Sequence, residues 1–474
     1  MLFNSLDFAY FLPIVLLLFW LLRNTLKIQN LLLLLASYVF YGWWDWRFLS
    51  LIVISSLLDY SIGLKLHRSQ NDRKYWLALS LLVNLGMLGF FKYADFFAQS
   101  FADAFTLFGQ SIDVTRLNII LPVGISFYTF QTLSYTLDIY KRKLEPTNSL
   151  ISFLAFVSFF PQLVAGPIER ASHLLPQFFK PKKLEYKMVI SGLQLMLWGF
   201  FKKMVIADNC AIIVDQIFSQ AGDHNGATLL IGAVFFAFQI YGDFSGYSDI
   251  AIGTAKLFGF NLSQNFAFPY FSRDIAEFWR KWHISLSSWF KDYLYIPLGG
   301  SRGTKAKTIR NIFIIFLVSG FWHGANWTFL FWGLAHALLF VPLFVLNRNR
   351  TFSQNNHNLS LINIWRMLST FTLVCLAWIL FRAQDLEQAF AIYSKIFDFS
   401  TWAKPALQEF NLKIIAGMLL FLLVVECNNK SEVNPLKNSY KMPAILRWLF
   451  YSFILFCISM FSPTQELPFI YFQF

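Results

Sequence analysis

A chain of 474 residues that is 57% hydrophobic, 19% aromatic and only 14% charged lies far from the balance of a soluble globular domain, and its apolar segments recur from end to end. The formal net charge of +13 does not indicate nucleic acid, because the positive residues are spread over short loops between apolar runs, where Lys and Arg act as orientation signals. Cys210, Cys375, Cys427 and Cys457 are far apart with no CxxC spacing, which excludes a disulfide framework and a thiolate metal site; they read as small apolar packing residues, and no metal is expected.

A spanning helix needs about 20 mainly apolar residues. On that measure candidates fall at 8–22, 28–44, 48–66, 75–92, 118–140, 187–207, 228–258, 309–324, 326–346, 361–382, 412–427 and 444–461. Adding the proline- and glycine-broken segment 150–168, read as re-entrant, the fold class is an all-α polytopic membrane protein of about 11–13 membrane helices. Residues 1–117 form N-terminal helices, 118–346 a core and 347–474 C-terminal helices of a single membrane domain. The run Met1–Leu22 has neither a charged n-region nor a small-residue cleavage site and reads as a retained helix. Placing the basic loops in the cytoplasm puts both termini outside, and Lys202 with Lys203 fit that count least well.

In chain order, Tyr41–Arg47 reads as an aromatic belt at headgroup level, and residues 93–117 as an external stretch. The span from Leu121 carries Ser126, Thr129, Gln131, Thr132, Ser134 and Tyr135, a polar face that either packs on other helices or lines a cavity. His173 follows the bend FFPQLVAGPIER and reads as an interfacial histidine bonded to loop backbone. Ser245 lies in GDFSG rather than GxSxG with no preceding strand, so helix packing through glycine is expected there instead of a hydrolase elbow. GGSRG, Gly299–Gly303, reads as a turn, with Arg302, Lys305, Lys307 and Arg310 making a basic patch beside it. His67, His224 and His357 read as solvated loop residues.

The chain is organised around RDIAEFWRKWHISLSSWFKDYLYIPLGGSRG and SGFWHGANWTFLFWGLAHA, residues 273–303 and 319–337. In the first, Ile275, Phe278, Trp279, Trp282, Leu286, Trp289, Phe290 and Tyr293 recur at three- and four-residue steps. The spacing predicts one amphipathic interfacial helix with Arg273, Asp274, Glu277 and Lys281 on its polar side and His283 on the border. In the second, His323 lies in an apolar, tryptophan-rich stretch, where an ionisable side chain is expensive and so marks a candidate site. Neutral imidazole takes a proton from a hydroxyl, and acyl transfer needs such a base plus a donor that polarises the carbonyl. His323 and His283 are therefore the candidate catalytic pair, with His283 as that donor or as a positioning residue.

The same two stretches, preceded by DFSGYSDIAIGTAKLFGFNLSQNFAFPYFS, resemble the membrane-bound O-acyltransferase family over essentially the whole chain. FFPQLVAGPIER and LFNSLDFAYFLP resemble its alginate- and peptidoglycan-acetylating branch. The resemblance implies a helical bundle around a central tunnel, with His323 of the WHG motif catalytic, as base or as acyl relay, and His283 close to the same tunnel. It implies acetyl-CoA as acyl donor with no tightly bound cofactor, a bacterial inner-membrane location in the lipid bilayer, and a separate periplasmic acetyltransferase that finishes the polysaccharide modification. His336 is expected to be structural: on one continuous helix, at about 100° per residue, it and His323 point to different sides unless the helix breaks near Gly324. The stretch ends in AHA where many relatives carry HG. The competing readings are D-alanyl transfer to teichoic acid, a carrier of polyprenyl-linked sugars, and a membrane scaffold.

Overall fold

A computed structural model describes residues 1–106, 109, 112, 117, 119–353, 360–405, 412–429, 433–463, 467 and 469–470. Among the described residues the regular structure is entirely helical. Seven helical runs among the described residues are long and apolar enough to cross a membrane: Leu26–Arg68, Arg73–Thr106, Tyr186–Ser219, Gly226–Leu257, Trp327–Val345, Leu361–Arg382 and Ala444–Phe461. The first of them holds two helices joined by a 3-10 turn, Trp46–Phe48. The chain divides into two compact units, Met1–Glu185 with Ala255–Ser263, and Tyr186–Thr254 with Gln264–Phe474.

The first unit contains α1 (Leu6–Leu21), α2 (Leu26–Asp45), α3 (Leu49–Arg68), α4 (Arg73–Thr106), α5 (Ile125–Tyr140), α6 (Leu150–Val157), α7 (Phe160–Leu163) and α8 (Ala171–Leu174). Helix α4 runs well past the expected end of its span at 92, so Tyr93–Thr106, read as part of an external stretch, continues the helix. Its FFKYADFFAQSFADAF keeps aromatic residues at helical spacing with no proline or glycine to stop it. The polar face of α5 is packed rather than exposed to a cavity, for Thr129, Thr132, Ser134 and Thr136 are buried. Across it, Asp59 accepts from Ser80 Oγ at 2.7 Å and from Asn84 Nδ2 at 2.8 Å, and Ser80 pairs with Thr136 at 3.0 Å. These bonds tie α3, α4 and α5 together where hydrocarbon offers no water. The 150–168 segment is broken into α6 and α7 and covered by protein, as non-helical backbone at membrane depth requires.

His173 departs from expectation. Its Nδ1 meets the buried carboxylate of Glu169 at 2.7 Å, which raises its pKa, and Ser263 also bonds that carboxylate through its backbone N–H and its hydroxyl. The Glu169 carboxylate joins the two stretches, and the imidazole bonds that side chain instead of loop backbone.

The second unit contains α9 (Tyr186–Phe200), α10 (Asp208–Ser219), α11 (Gly226–Leu257, its last turn in the first unit), α12 (Ile275–Lys281), α13 (Ile284–Phe290), α14 (Lys305–His323), α15 (Trp327–Val345), α16 (Leu361–Arg382), α17 (Leu386–Phe397), α18 (Leu412–Asn428) and α19 (Ala444–Phe461). A π-helical stretch, Phe201–Ala207, joins α9 to α10. Glycine lets this run and α11 touch backbone to backbone: a Cβ on Gly199 would lie 2.6 Å from Gly246 O, and one on Gly246 2.8 Å from Gly199 O. Ser245 sits mid-helix at this contact, which accords with packing and not with a nucleophile turn. The two awkward lysines also find their reason here. Lys202 Nζ meets Asp249 at 2.7 Å, while Lys203 Nζ meets Asp208 at 2.7 Å and Asp243 at 2.9 Å, all within the protein interior.

The single amphipathic helix expected from Arg273 is two short helices. Trp282 leaves the helix, His283 takes a left-handed conformation with φ 43° and ψ 53°, and α13 starts afresh. Nor is its charged side solvated: Arg273 and Glu277 are buried and bonded at 3.0 Å, with Lys281 on the same carboxylate at 2.9 Å. His224 is half-buried rather than solvated, His67 is exposed, and His357 lies outside the described residues.

Helices α14 and α15 form a tight hairpin because glycine faces backbone at both crossing points. A Cβ on Gly320 would lie 2.2 Å from Phe329 O, and one on Gly333 2.3 Å from Phe316 O. Gly320→Ala is expected to cost about 1–3 kcal/mol by forcing the hairpin apart, read as a lowered midpoint of thermal unfolding in detergent. An unchanged midpoint would show that the hairpin has slack.

Candidate active site

The site is built inside the second unit where α14 ends. His323 is its last helical residue; Gly324 is fully extended, φ −162° and ψ 155°, and Asn326 caps α15 by accepting from Thr328 N at 3.0 Å. The break near Gly324 is thus present, and it lets α15 fold back along α14. A Cβ on Gly324 would lie 2.1 Å from Phe329 Cε2, so any larger residue here must displace the Phe329 ring.

His323 is 3% exposed and walled by aromatic rings: Trp322 at 5.0 Å, Trp332 at 5.1 Å and Phe381 at 5.2 Å between centroids. His283 approaches from the α12–α13 break, its ring 6.3 Å from that of His323. The structure therefore brings together the two histidines that the sequence singled out, although 40 residues separate them. Phe244 of α11 stands edge-on to His283 at 4.6 Å. Burial pushes the His283 imidazole down to about 3, so it is neutral at physiological pH.

His336 lies on the other side of the Trp332 indole, 4.9 Å from it, and its Nδ1 accepts from Trp279 Nε1 at 3.2 Å. That bond leaves the His336 proton on Nε2. Trp332 in turn stacks on Trp378 at 5.6 Å and 18°. The Trp332 indole thus forms the wall between His323 and His336. Asn265, which sequence reasoning passed over, lies within reach of His283: its Oδ1 is 3.0 Å from His283 Nδ1.

A cavity of about 530 Å³ lies one helical turn from the pair along α13 and α14, with neither imidazole on its lining. Its deep wall includes Trp279, Phe316 and Ser319, and its rim carries Lys291 and Arg350. Ser319 is one helical turn before His323 on α14, and Ser287, also on the wall, is one turn beyond His283 on α13. The rim loop is held by Arg280, which donates to Asn349 O at 2.8 Å and Phe352 O at 3.3 Å, while Arg273 stacks 4.1 Å over the Phe352 ring. The GGSRG turn closes near the rim: Gly299, Gly300 and Gly303 all have positive φ, and Asn311 Nδ2 donates to Gly300 O at 3.0 Å. Among the described residues no cluster of three or more His, Cys, Asp or Glu side chains has the geometry to hold a metal ion.

The sequence that builds this site, a neutral His283 and a buried His323 near an apolar cavity with a basic mouth, matches a known pattern. The pattern that defines the membrane-bound O-acyltransferase family covers residues 44–383, which include every residue named above in the site. The chain belongs to the membrane-bound O-acyltransferase family. As a member of it, the chain is a multi-pass acyltransferase of the bacterial inner membrane. It is 41% identical over 429 residues to a probable alginate O-acetylase of Pseudomonas aeruginosa, covering 90% of this chain and 80% of that one. It is 36% identical over 487 aligned positions to a peptidoglycan O-acetyltransferase of Helicobacter pylori, covering 95% and 86%. To a teichoic acid D-alanyltransferase of Bacillus subtilis it is 29% identical over 287 residues, covering 57% and 71%. Among membrane-bound O-acyltransferases, then, the likeness to the acetylating relatives extends over much more of this chain than the likeness to the D-alanylating one.

Proposed function

We propose that this protein takes acetyl groups from a cytoplasmic acyl thioester, acetyl-CoA, and passes them through the inner membrane for O-acetylation of an extracytoplasmic polysaccharide, with a separate periplasmic acetyltransferase completing the transfer. The observation that carries the reading is the meeting of His323 and His283, ring centres 6.3 Å apart, one helical turn from the lining of a cavity whose mouth is basic. A thioester whose far end is phosphorylated suits that cavity: Lys291 and Arg350 face the anionic end, and the apolar wall of Trp279 and Phe316 takes the acyl-pantetheine end. The loops that carry these cations read as cytoplasmic from their Lys and Arg content.

In the reaction an acceptor hydroxyl attacks the thioester carbonyl, so a C–O bond forms and the C–S bond breaks. His323 takes the hydroxyl proton and returns it to the leaving thiolate, leaving the enzyme unchanged. Aromatic walls exclude water, which would otherwise hydrolyse the thioester.

The test compares the O-acetyl and D-alanyl ester content of surface polysaccharide and cell wall in wild type, a deletion strain, and strains complemented with Lys291→Glu/Arg350→Glu. Loss of O-acetyl ester in the deletion supports the reading. The charge-reversed protein is expected to restore acetylation at least about tenfold less well, since it repels the anionic end of the donor. Loss of D-alanyl ester alone would assign the chain to the other branch, and an unchanged ester content would sink acyl transfer to these polymers.

A further inference from the structure

Asn265 is fully buried and turns both of its acceptor oxygens toward the turn that carries His283. Its backbone C=O accepts from Ile284 N at 2.9 Å. Its Oδ1 accepts from Ser285 Oγ at 2.8 Å and Ser285 N at 3.4 Å, and faces His283 Nδ1 at 3.0 Å. Its Nδ2 lies 3.0 Å from Ser248 Oγ on α11. The first N–H groups of α13 have no intrahelical partner, and Asn265 supplies acceptors for two of them. It thereby holds His283 in its left-handed conformation without a side-chain cap from His283 itself.

The orientation of the amide follows from its partners. A backbone N–H only donates, so the Asn265 atom facing Ser285 N is the oxygen. That same oxygen faces His283 Nδ1, and an oxygen there requires Nδ1 to carry the proton. In a neutral imidazole the lone pair is then on Nε2, which is buried with no hydrogen-bond partner among the described residues. Phe244 edge-on at 4.6 Å and Trp322 at 5.8 Å keep the ring from turning over. The titratable group facing its ring is His323 on α14; Phe244 and Ser248 of α11, Phe266 and Trp322 are uncharged.

We propose that Asn265 is a positioning residue that fixes His283 as its Nδ1–H tautomer, so that Nε2 presents a lone pair, not a donor, to the reacting hydroxyl. This rests on the reading that the His283–His323 pair performs acyl transfer. It assigns His283 the task of accepting from the attacking hydroxyl or aligning it for His323, and it excludes His283 as the donor that polarises the carbonyl. A carboxylate at position 265 would keep the same acceptors but draw a second proton onto the ring, because a negative charge in contact favours imidazolium. An apolar leucine would leave the tautomer unassigned.

The test uses the full-length protein in lipid bilayers with 15N-labelled histidine, the His283 signals assigned by their loss in His283→Asn. Wild type is expected to show one neutral Nδ1–H tautomer between about pH 5 and pH 8. Asn265→Asp should show imidazolium at about pH 6 and lose it as pH rises, and Asn265→Leu a mixture of tautomers. In cells at matched membrane abundance, both variants should restore O-acetylation at least about tenfold less well than wild type. An Nε2–H tautomer in the wild type overturns the proposal. So does an Asn265→Leu protein that loses acetylation with the His283 tautomer unchanged, which would make Asn265 merely structural. Should Asn265→Leu not fold, Asn265→Asp, which preserves the acceptors, decides on charge state alone. Full acetylation by His283→Asn is a separate outcome: it would remove His283 from the reaction while leaving the tautomer assignment intact.

Discussion

A His323→Ala protein present in the membrane at wild-type abundance is expected to restore less than about 1% of the O-acetyl ester lost in a deletion strain, since a positioned general base contributes about 10²–10⁴ in rate. The side chain is 3% exposed and surrounded by rings, so truncation leaves a gap that a water molecule does not fill usefully as a base. Three aromatic walls and the α14 terminus remain to hold the fold, and abundance is the control for that. His323→Gln, which keeps the volume but has no basic nitrogen, should fail equally. Recovery of acetylation by either variant would move the chemistry away from this residue.

The second large effect concerns stability. Lys203→Met is expected to destabilise the second unit by about 3–5 kcal/mol, because Asp208 and Asp243 would be left as buried carboxylates with no cation. Asp243 also accepts from Ile470 N at 2.7 Å and adjoins Phe244, which touches His283, so the loss should reach the site as well as the fold. Thermal unfolding in detergent, together with the yield of membrane-inserted protein, measures it. The triple change Lys203→Met/Asp208→Asn/Asp243→Asn removes the stranded charges and should recover a large part of the loss. If the single variant unfolds like wild type, the three groups are not a coupled set.

These residues also mark how far the sequence could be read. His323 and His283 were legible because an ionisable side chain in an apolar, aromatic stretch needs a reason, whatever the tertiary structure. The pairing of Lys202 and Lys203 with Asp249 and Asp243 was not. On sequence the lysines looked like misplaced topology signals and the aspartates like isolated polar groups, and only the glycine contact between Gly199 and Gly246 brings the two helices close enough. The helix break at His283 was hidden for another reason. RDIAEFWRKWHISLSSWF has the apolar period of one helix, and nothing in it breaks a helix locally; the break is imposed by Asn265, which takes the N–H groups of Ile284 and Ser285 from outside. Asn265 gave no signal of its own, since its role exists only once the chain between Asn265 and His283 has folded back on itself. The length of α4 was missed because the end of the span was drawn from hydropathy, whereas helical spacing continues through Thr106.

The backbone of His283 also restricts what can replace it over evolutionary time. At φ 43° a β-branched or bulky residue meets its own carbonyl, whereas asparagine, aspartate, glycine and histidine tolerate the left-handed region. Neutral drift at this position is thus confined to a handful of side chains before any demand of chemistry is imposed. Of those, only histidine offers a titratable ring nitrogen. A lineage that abandoned the reaction while keeping the turn should therefore accumulate asparagine or glycine here, so the residue at 283 serves as a record of whether a descendant still transfers acyl groups by way of this imidazole.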